Sequence, residues 1–157
     1  MDDAMSADRG SVSVEVAILA PAFIALLVLA GVAGRTAVAA EAVDTAAHDA
    51  ARAASISRDS ATARRAAENA AVRQLDWRGL DCTGRPAVTF SGVVDGHVTS
   101  LDAAFRSPVG RDASVTVRIS CAVDLSELRL PVVPGMPTGK QVTADFTSPL
   151  DRYRSRG

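Results

Sequence analysis

The chain has 157 residues, a formal net charge of −1 and 4% aromatic residues, with one Trp and one Tyr. This length leaves room for one small folded domain beside a membrane segment, and the few aromatic side chains limit the core that the domain can bury. The balanced charge gives no electrostatic basis for binding nucleic acid, so we expect no nucleic-acid partner.

The first predicted element is an apolar helix near the N-terminus, beginning around Val12. The run from Val16 to Gly34 contains no charged residue, and at 1.5 Å per residue it is about long enough to cross a hydrocarbon layer of ~30 Å. We assign residues 11–35 as a transmembrane helix. Pro21 is expected to bend it slightly, because proline lacks a backbone N–H.

One carboxylate, Glu15, stands at the N-terminal edge of this apolar run. A charged side chain inside a membrane costs roughly 3 kcal/mol on insertion scales, so its presence points to a function. Residues 1–10, MDDAMSADRG, are polar and lack apolar periodicity. Such a segment is typical of a leader peptide that is removed from the mature chain.

The order of polar leader, Gly10, four residues, Glu15 and apolar helix resembles the class III signal peptide of type IV pilins and pseudopilins. The resemblance implies that a prepilin peptidase cuts between Gly10 and Ser11. It also implies that Glu15 guides assembly by meeting the new α-amine of a neighbouring subunit, since a buried charge is tolerated when an opposite charge pairs with it.

Within that superfamily, the run VEVAILAPAFIALLVLAG and the alanine-rich continuation EAVDTAAHDAARAAS most resemble the TadE-like group of Tad-type pilus assembly proteins. The resemblance implies a non-enzymatic, single-pass protein with a cytoplasmic N-terminus and an extracytoplasmic C-terminal domain. Its implied partners are the membrane, the prepilin peptidase, other pilin-like subunits and the Tad assembly platform. It implies no cofactor and no small-molecule substrate. Whether such a subunit is polymerised, caps the filament or acts only in assembly stays open.

Residues 36–78 are predicted to be helical, because they are rich in alanine, the residue with the highest helix propensity. Asp59 or Ser60 is expected to cap a second helix that ends near Leu75, and Arg64 and Arg65 are interpreted as its solvated face. In the preceding helix an apolar stripe is expected to pack against the C-terminal domain or another pilin subunit: Ala39, Val43, Ala46, Ala50 and Ala53.

Residues 79–148 are predicted to form a small antiparallel β domain. Asp95-Gly96 favours a type I′ hairpin between strands at 86–94 and 97–101. The alternation of residues 114–123 indicates the clearest strand, with one face apolar: Val115, Val117, Ile119, Cys121 and Val123.

The end of the chain is predicted to hold one more strand. Val142, Ala144 and Phe146 alternate with polar residues, after an irregular loop at 130–139 that is rich in proline and glycine. Residues 149–157 are expected to be a flexible tail. The predicted fold class is therefore α+β: a long N-terminal helix, a second helix and three or four antiparallel strands, as in pilin-like proteins.

Cys82 and Cys121 both follow the membrane segment. An exported chain places them where disulfides persist, so we consider a structural disulfide or an unpaired buried thiol. His48 and His97 show no spacing that would combine them with a cysteine nucleophile, and no Cys/His pattern supplies metal ligands. We therefore predict no catalytic site and no metal site.

A different interpretation starts from Ala37-Val38-Ala39 and Ala40-Glu41-Ala42, which fit the A-x-A pattern of signal peptidase sites. The chain would then be a secreted small binding domain with an ordinary signal sequence, or a single-span anchored one. The acidic leader and the length of the apolar run argue against this alternative, because signal peptides have a basic start and a shorter apolar core.

Overall fold

The computed structural model describes residues 7–80, 82–126 and 138–153, with side chains from residue 14 onwards. Three helices and four antiparallel strands occur in these residues, which confirms the predicted α+β fold class. In chain order the elements are α1 (Ala7–Ser55), α2 (Ser60–Trp77), β1 (Ala87–Val94), β2 (His97–Thr99), α3 (Leu101–Phe105), β3 (Ala113–Asp124) and β4 (Gly139–Pro149).

Helix α1 dominates the architecture. It begins at Ala7, earlier than the predicted Val12, and continues through Pro21 to Ser55, a length of roughly 70 Å. Its first half projects from the rest of the molecule with no part of the apolar segment buried. Its second half packs against α2, β3 and β4. The bend at Pro21 stays a prediction.

A close contact between α1 and α2 forms one layer of the domain. The chain reverses after Ser55, and the Asp59 carboxylate caps α2 by accepting the Thr62 backbone N–H at 2.8 Å, as predicted. Small side chains let two helices approach closely. The buried residues at this layer are Ala39, Ala42, Val43, Ala46, Ala47, Ala50, Ala51 and Ala54 of α1 and Ala63, Ala67, Ala70, Ala71 and Leu75 of α2.

The buried stripe of α1 is wider than predicted. Pairs of adjacent positions are buried, whereas the predicted Ala53 is only half-buried. The buried stripe is wide because α1 packs against α2 on one side and against β3 and β4 on the other. The prediction that this stripe packs against the chain's own domain is confirmed.

The sheet has the order β2-β1-β3-β4, with every neighbouring pair antiparallel. β3 lies at its centre and turns alternate side chains toward the helices. The five inward residues predicted for this strand are all buried, together with Ala113. Phe105 and Leu101 of α3 are the largest side chains of the core.

The β1–β2 hairpin confirms the turn predicted from Asp95-Gly96. Both residues have positive φ, 48° for Asp95 and 82° for Gly96, as a type I′ turn requires. The predicted continuation of β2 to residue 101 is wrong. The Ser100 hydroxyl instead accepts the Ala103 N–H at 3.2 Å and caps α3, which carries Leu101 into the core.

The last predicted strand is present as β4, but the burial of its side chains and the residue at which it ends differ from the prediction. Val142 is buried and Ala144 half-buried, whereas Phe146 is 37% exposed and meets the His48 ring edge-on at 4.4 Å. The Leu150 N–H donates to the Ala113 carbonyl at 2.8 Å. Leu150 is therefore packed against the sheet, whereas residues 151–153 are exposed. The predicted loop at 130–139 falls mostly outside the described residues.

Gly92 supplies a test of how α3 sits on β1. A Cβ added at Gly92 would lie 2.5 Å from the Ala104 Cβ and 2.7 Å from the Ser100 carbonyl oxygen. We expect Gly92→Ala to destabilise the domain by about 1–3 kcal/mol, because the inserted methyl forces α3 away from the sheet. Thermal unfolding followed by circular dichroism in detergent measures this loss.

Gly34→Ala is the matched control, since a Cβ at Gly34 meets nothing within 4 Å. Equal unfolding temperatures for the two variants would contradict the close approach of α3 to β1.

Candidate functional site

The first half of α1 exposes a continuous set of large apolar side chains, each half or more exposed. They include Ile18, Leu19, Phe23, Ile24, Leu26, Leu27 and Leu29. Transferring one such side chain from water to an apolar medium is worth about 1.5–3 kcal/mol. Among the described residues, α1 is the one helix long and apolar enough to cross a membrane.

Glu15 lies on this half of α1 with its side chain exposed. No salt bridge to it is formed by the side chains that the structure describes. Helical side chains tilt toward the N-terminus, so the Glu15 carboxylate leans toward the turn that contains Ser11. Residues four apart on a helix are neighbours at about 6 Å, so the Ser11 backbone lies about one turn from Glu15.

Gly10 and Ser11 lie within the first turns of α1, where the backbone alone is described. Pro21 lies farther along the same helix without interrupting it. Because Pro21 has no N–H, the Ala17 carbonyl lacks its usual partner within the helix. The structure thus places the predicted processing, assembly and bending residues on the first half of α1, whose apolar segment is not buried in the domain.

Cys82 and Cys121 form a disulfide with a Cα–Cα distance of 5.3 Å. Cys121 is buried on β3, and Cys82 forms an isolated antiparallel bridge with Val123 of the same strand. The disulfide therefore ties the segment between α2 and β1 to the centre of the sheet. In the chain-entropy model, closing a loop of 39 residues stabilises the domain by about 4 kcal/mol.

A polar cluster joins α2 to α3. The Ser60 hydroxyl donates to the Asp102 carboxylate, and the Arg64 guanidinium donates to its other oxygen at 3.0 Å. The Arg64 Cζ also lies 5.4 Å from the centroid of the Phe90 ring. Arg64 was interpreted as part of a solvated face. It is in fact half-buried and bridges three elements, because α3, which the sequence did not predict, brings Asp102 against it.

The carboxylate pKa values reflect these contacts. The hydrogen bond from Ser60 lowers the pKa of Asp102, with help from Arg64. Backbone N–H groups lower the pKa of Asp59 and of Asp124, through Thr62 and Ser126 respectively. All three carboxylates therefore act as local caps and clamps.

The histidines are far apart in the fold. The Nδ1 of His48 lies 3.5 Å from Asp49, whereas His97 is exposed on β2. Among the described residues, no group of three or more His, Cys, Asp or Glu side chains is arranged to hold a metal ion.

Two grooves flank the C-terminal end of α2. One, of about 710 Å³, lies between α2 and the start of β1 and has the disulfide at its edge. The other, of about 380 Å³, lies where α1 meets the turn that follows α2, between Arg35 and Arg78. Trp77 is the last residue of α2, and 83% of its surface is exposed. No role was predicted for Trp77 from the sequence, although a single tryptophan in a chain with few aromatic residues is a feature that could have pointed to it.

Comparison with known families gives one match. A family model described as "TadE-like protein" matches residues 10–52, from the residue before the predicted cut to the end of the alanine-rich half of α1. The predicted resemblance to TadE-like proteins is thereby confirmed over this segment. No curated protein and no solved structure matches the chain.

The Asp102 cluster predicts a pH dependence of stability. The folded-state pKa of Asp102 lies below the ordinary value of 3.8, so its contribution is complete above about pH 4 and is lost as the pH falls through the folded pKa. We expect Asp102→Asn to unfold at a lower temperature than the parent at pH 7. The difference should shrink as the pH falls below about 4, as thermal unfolding at several pH values would show.

Asp44→Asn is the matched control, because Asp44 is exposed on α1 and forms no ion pair with other described residues. If the difference in unfolding temperature between Asp102→Asn and the parent stayed constant down to pH 3, the ionised carboxylate would not clamp α2 to α3.

Proposed function

We propose that this chain, whose residues 10–52 match TadE-like proteins, is a minor pilin or pseudopilin of a Tad-type pilus. In this role it is a non-enzymatic, single-pass membrane subunit or assembly factor. A prepilin peptidase removes residues 1–10, the N-terminus of α1 faces the cytoplasm, and the domain lies outside. The partners are the membrane, other pilin-like subunits and the Tad assembly platform.

The observation that carries this proposal is the division of α1 into two halves. The first half is apolar, carries Glu15 and is unburied, whereas the second half is packed into the domain through alanines. A helix of this kind keeps its domain at a fixed distance from the membrane and still presents a free apolar surface to neighbours. Both properties suit a subunit that leaves the bilayer to join a bundle of similar helices.

Glu15 supports an assembly role on energetic grounds. An unpaired carboxylate in hydrocarbon is costly, and removing one partner from a buried charge pair costs about 3–5 kcal/mol. A cut between Gly10 and Ser11 would create an α-amine about one helical turn from Glu15 of the same chain. In a neighbouring subunit whose helix is aligned at the same height, the α-amine would lie at a similar level. The free energy of this pairing would favour subunits that are both processed and correctly placed.

The position of the cut is compatible with the helix. Gly10 and Ser11 lie in the first turns of α1, and opening the end of a helix costs little compared with opening its centre. The peptidase therefore needs to unwind only the terminal turn. The leader would carry away Asp2, Asp3, Asp8 and Arg9, leaving Glu15 as the acidic group of the apolar half.

The disulfide supports the proposed orientation. Disulfides persist in the periplasm and at cell surfaces but are rare in the cytosol. Since Cys82 and Cys121 both belong to the domain, the domain is expected on the outer side of the membrane.

The first experiment determines the mature N-terminus. Protein from the membrane fraction of cells that contain a prepilin peptidase is analysed by Edman degradation and intact mass. We expect the sequence to start at Ser11, because the leader and Gly10 fit the peptidase signal. Cells without the peptidase provide the control and should yield the uncut chain.

Other starting points would contradict the proposal in distinct ways. A start at Ala40 or Val43 would identify an ordinary signal peptide and a secreted domain. An intact Met1 in the presence of active peptidase would indicate an anchored protein outside the pilus system.

Substitution of Glu15 tests its role in assembly. We expect Glu15→Ala to be processed as the parent is but to co-purify with pilus components several-fold less, because the α-amine then lacks its counter-charge. Immunoblots of sheared pili and of membrane complexes provide the measurement. Glu15→Asp, which keeps the charge, should retain part of the incorporation.

Glu68→Ala is the matched control, since it removes an exposed glutamate from α2 outside the apolar segment. If Glu15→Ala co-purified with pilus components as well as Glu68→Ala does, charge pairing at Glu15 would not guide assembly.

A further inference from the structure

The end of the domain that lies nearest the membrane is formed by the end of α2. α2 runs back along α1, and the Arg78 Nη1 lies 3.8 Å from the Glu41 Oε1. Glu41 is about 10 Å beyond the last residue of the apolar run along α1. Gly79 and Leu80 line the smaller groove together with Arg35 and Val38. The chain that follows α2 therefore sits at the level where α1 leaves the hydrocarbon.

This end of the domain carries side chains suited to a membrane interface. Trp77 is 83% exposed and Val38 is 67% exposed, so neither is needed to complete the core. Tryptophan concentrates at the headgroup level of bilayers, and arginine side chains reach phosphates while their methylenes stay on apolar surface. The headgroup layer extends about 5–8 Å beyond the hydrocarbon on each side, so Arg35 and Val38, one and four residues beyond Gly34 on α1, fall within it. The end of α2, level with Glu41, lies a few ångströms farther out.

The charges at this level are close to balanced. Arg35 and Arg78 are basic, and Glu41, Asp76 and Asp124 are acidic. Arg78 faces Glu41, and Arg35 lies near enough to Asp124 to act on it electrostatically. A contact with lipid at this surface would therefore depend mainly on the aromatic and aliphatic groups and would not require anionic lipid.

We propose that the surface formed by Arg35, Val38, Trp77, Arg78 and Leu80 docks onto the headgroup layer of the same bilayer that α1 spans. The inference rests on the membrane insertion of α1 under the proposed function. Continuity with the apolar run identifies lipid as the occupant, because this surface begins where the membrane segment ends. Docking would hold the domain upright against the membrane before assembly, and extraction into a filament would expose Trp77 again.

The chain's single Trp makes the proposal directly measurable. The full chain is reconstituted in phosphatidylcholine vesicles, with and without lipids brominated on their acyl chains, and tryptophan emission is recorded. We expect blue-shifted emission and strong quenching by lipids brominated near the headgroup, with weaker quenching by lipids brominated deep in the chain. Adding anionic phosphatidylglycerol should change the quenching little.

The control moves the tryptophan to the opposite end of the domain. Combining Trp77→Phe with Val98→Trp moves the tryptophan to β2, where Val98 is 79% exposed. Val98 lies beside the β1–β2 turn, at the opposite end of β1 from the strand's start. Several-fold weaker quenching is expected there. Equal quenching at the two positions, or solvent-like emission from Trp77, would overturn the docking surface.

A third variant separates failure of docking from failure of the membrane span. Trp77→Phe combined with Leu26→Trp reports insertion of α1 and should be quenched most by deeply brominated lipids. Quenching there with none at Trp77 overturns the docking alone, whereas no quenching at either position overturns the span and the docking together. A blue shift that grows with the protein-to-lipid ratio without quenching by bromine would assign the surface to a second copy of the chain and overturn the lipid contact.

Discussion

The close contact between alanines of α1 and α2 is the constraint on which the rest of the structure depends. Alanine buries little surface, so the two helices are held by close approach over a long contact rather than by a few large side chains. This contact fixes α2 along one side of α1, whose other side packs against β3 and β4. The exposed half of α1 is thereby attached to the domain without a hinge of its own.

Stability in such a small domain comes from several modest sources. The large side chains of the core are concentrated on α3 and β3, chiefly Phe105, Leu101 and Ile119. The disulfide fixes the segment before β1, and the Ser60, Arg64 and Asp102 cluster clamps α2 to α3. These constraints act on different elements of the domain and compensate for the scarcity of aromatic residues.

The sequence predicted the elements whose signals are local and strong. Alanine content predicted that α1 continues beyond the apolar run and that α2 follows it. Asp95-Gly96 predicted the hairpin, and strict alternation predicted β3 and its buried face. The TadE-like resemblance predicted the family-model match over residues 10–52.

The parts that could not be predicted depend on tertiary contacts. Helix α3 has only five residues, too few for a periodic pattern, and Ser100 resembles a strand residue until its hydroxyl caps the helix. Arg64 is half-buried because α3 brings Asp102 against it, so its burial could not be predicted without predicting α3. Leu150 follows a polar tail pattern and becomes buried only because β4 delivers it beside Ala113.

The unbroken course of α1 has a mechanical consequence. Membrane helices tilt by about 20° on average, and a rod of this length converts that tilt into a lateral displacement of about 25 Å between its two ends. A small rotation in the bilayer would therefore sweep the whole domain sideways. In the proposed membrane-inserted state, α1 would act as a lever arm through which neighbouring spans displace the domain without touching it.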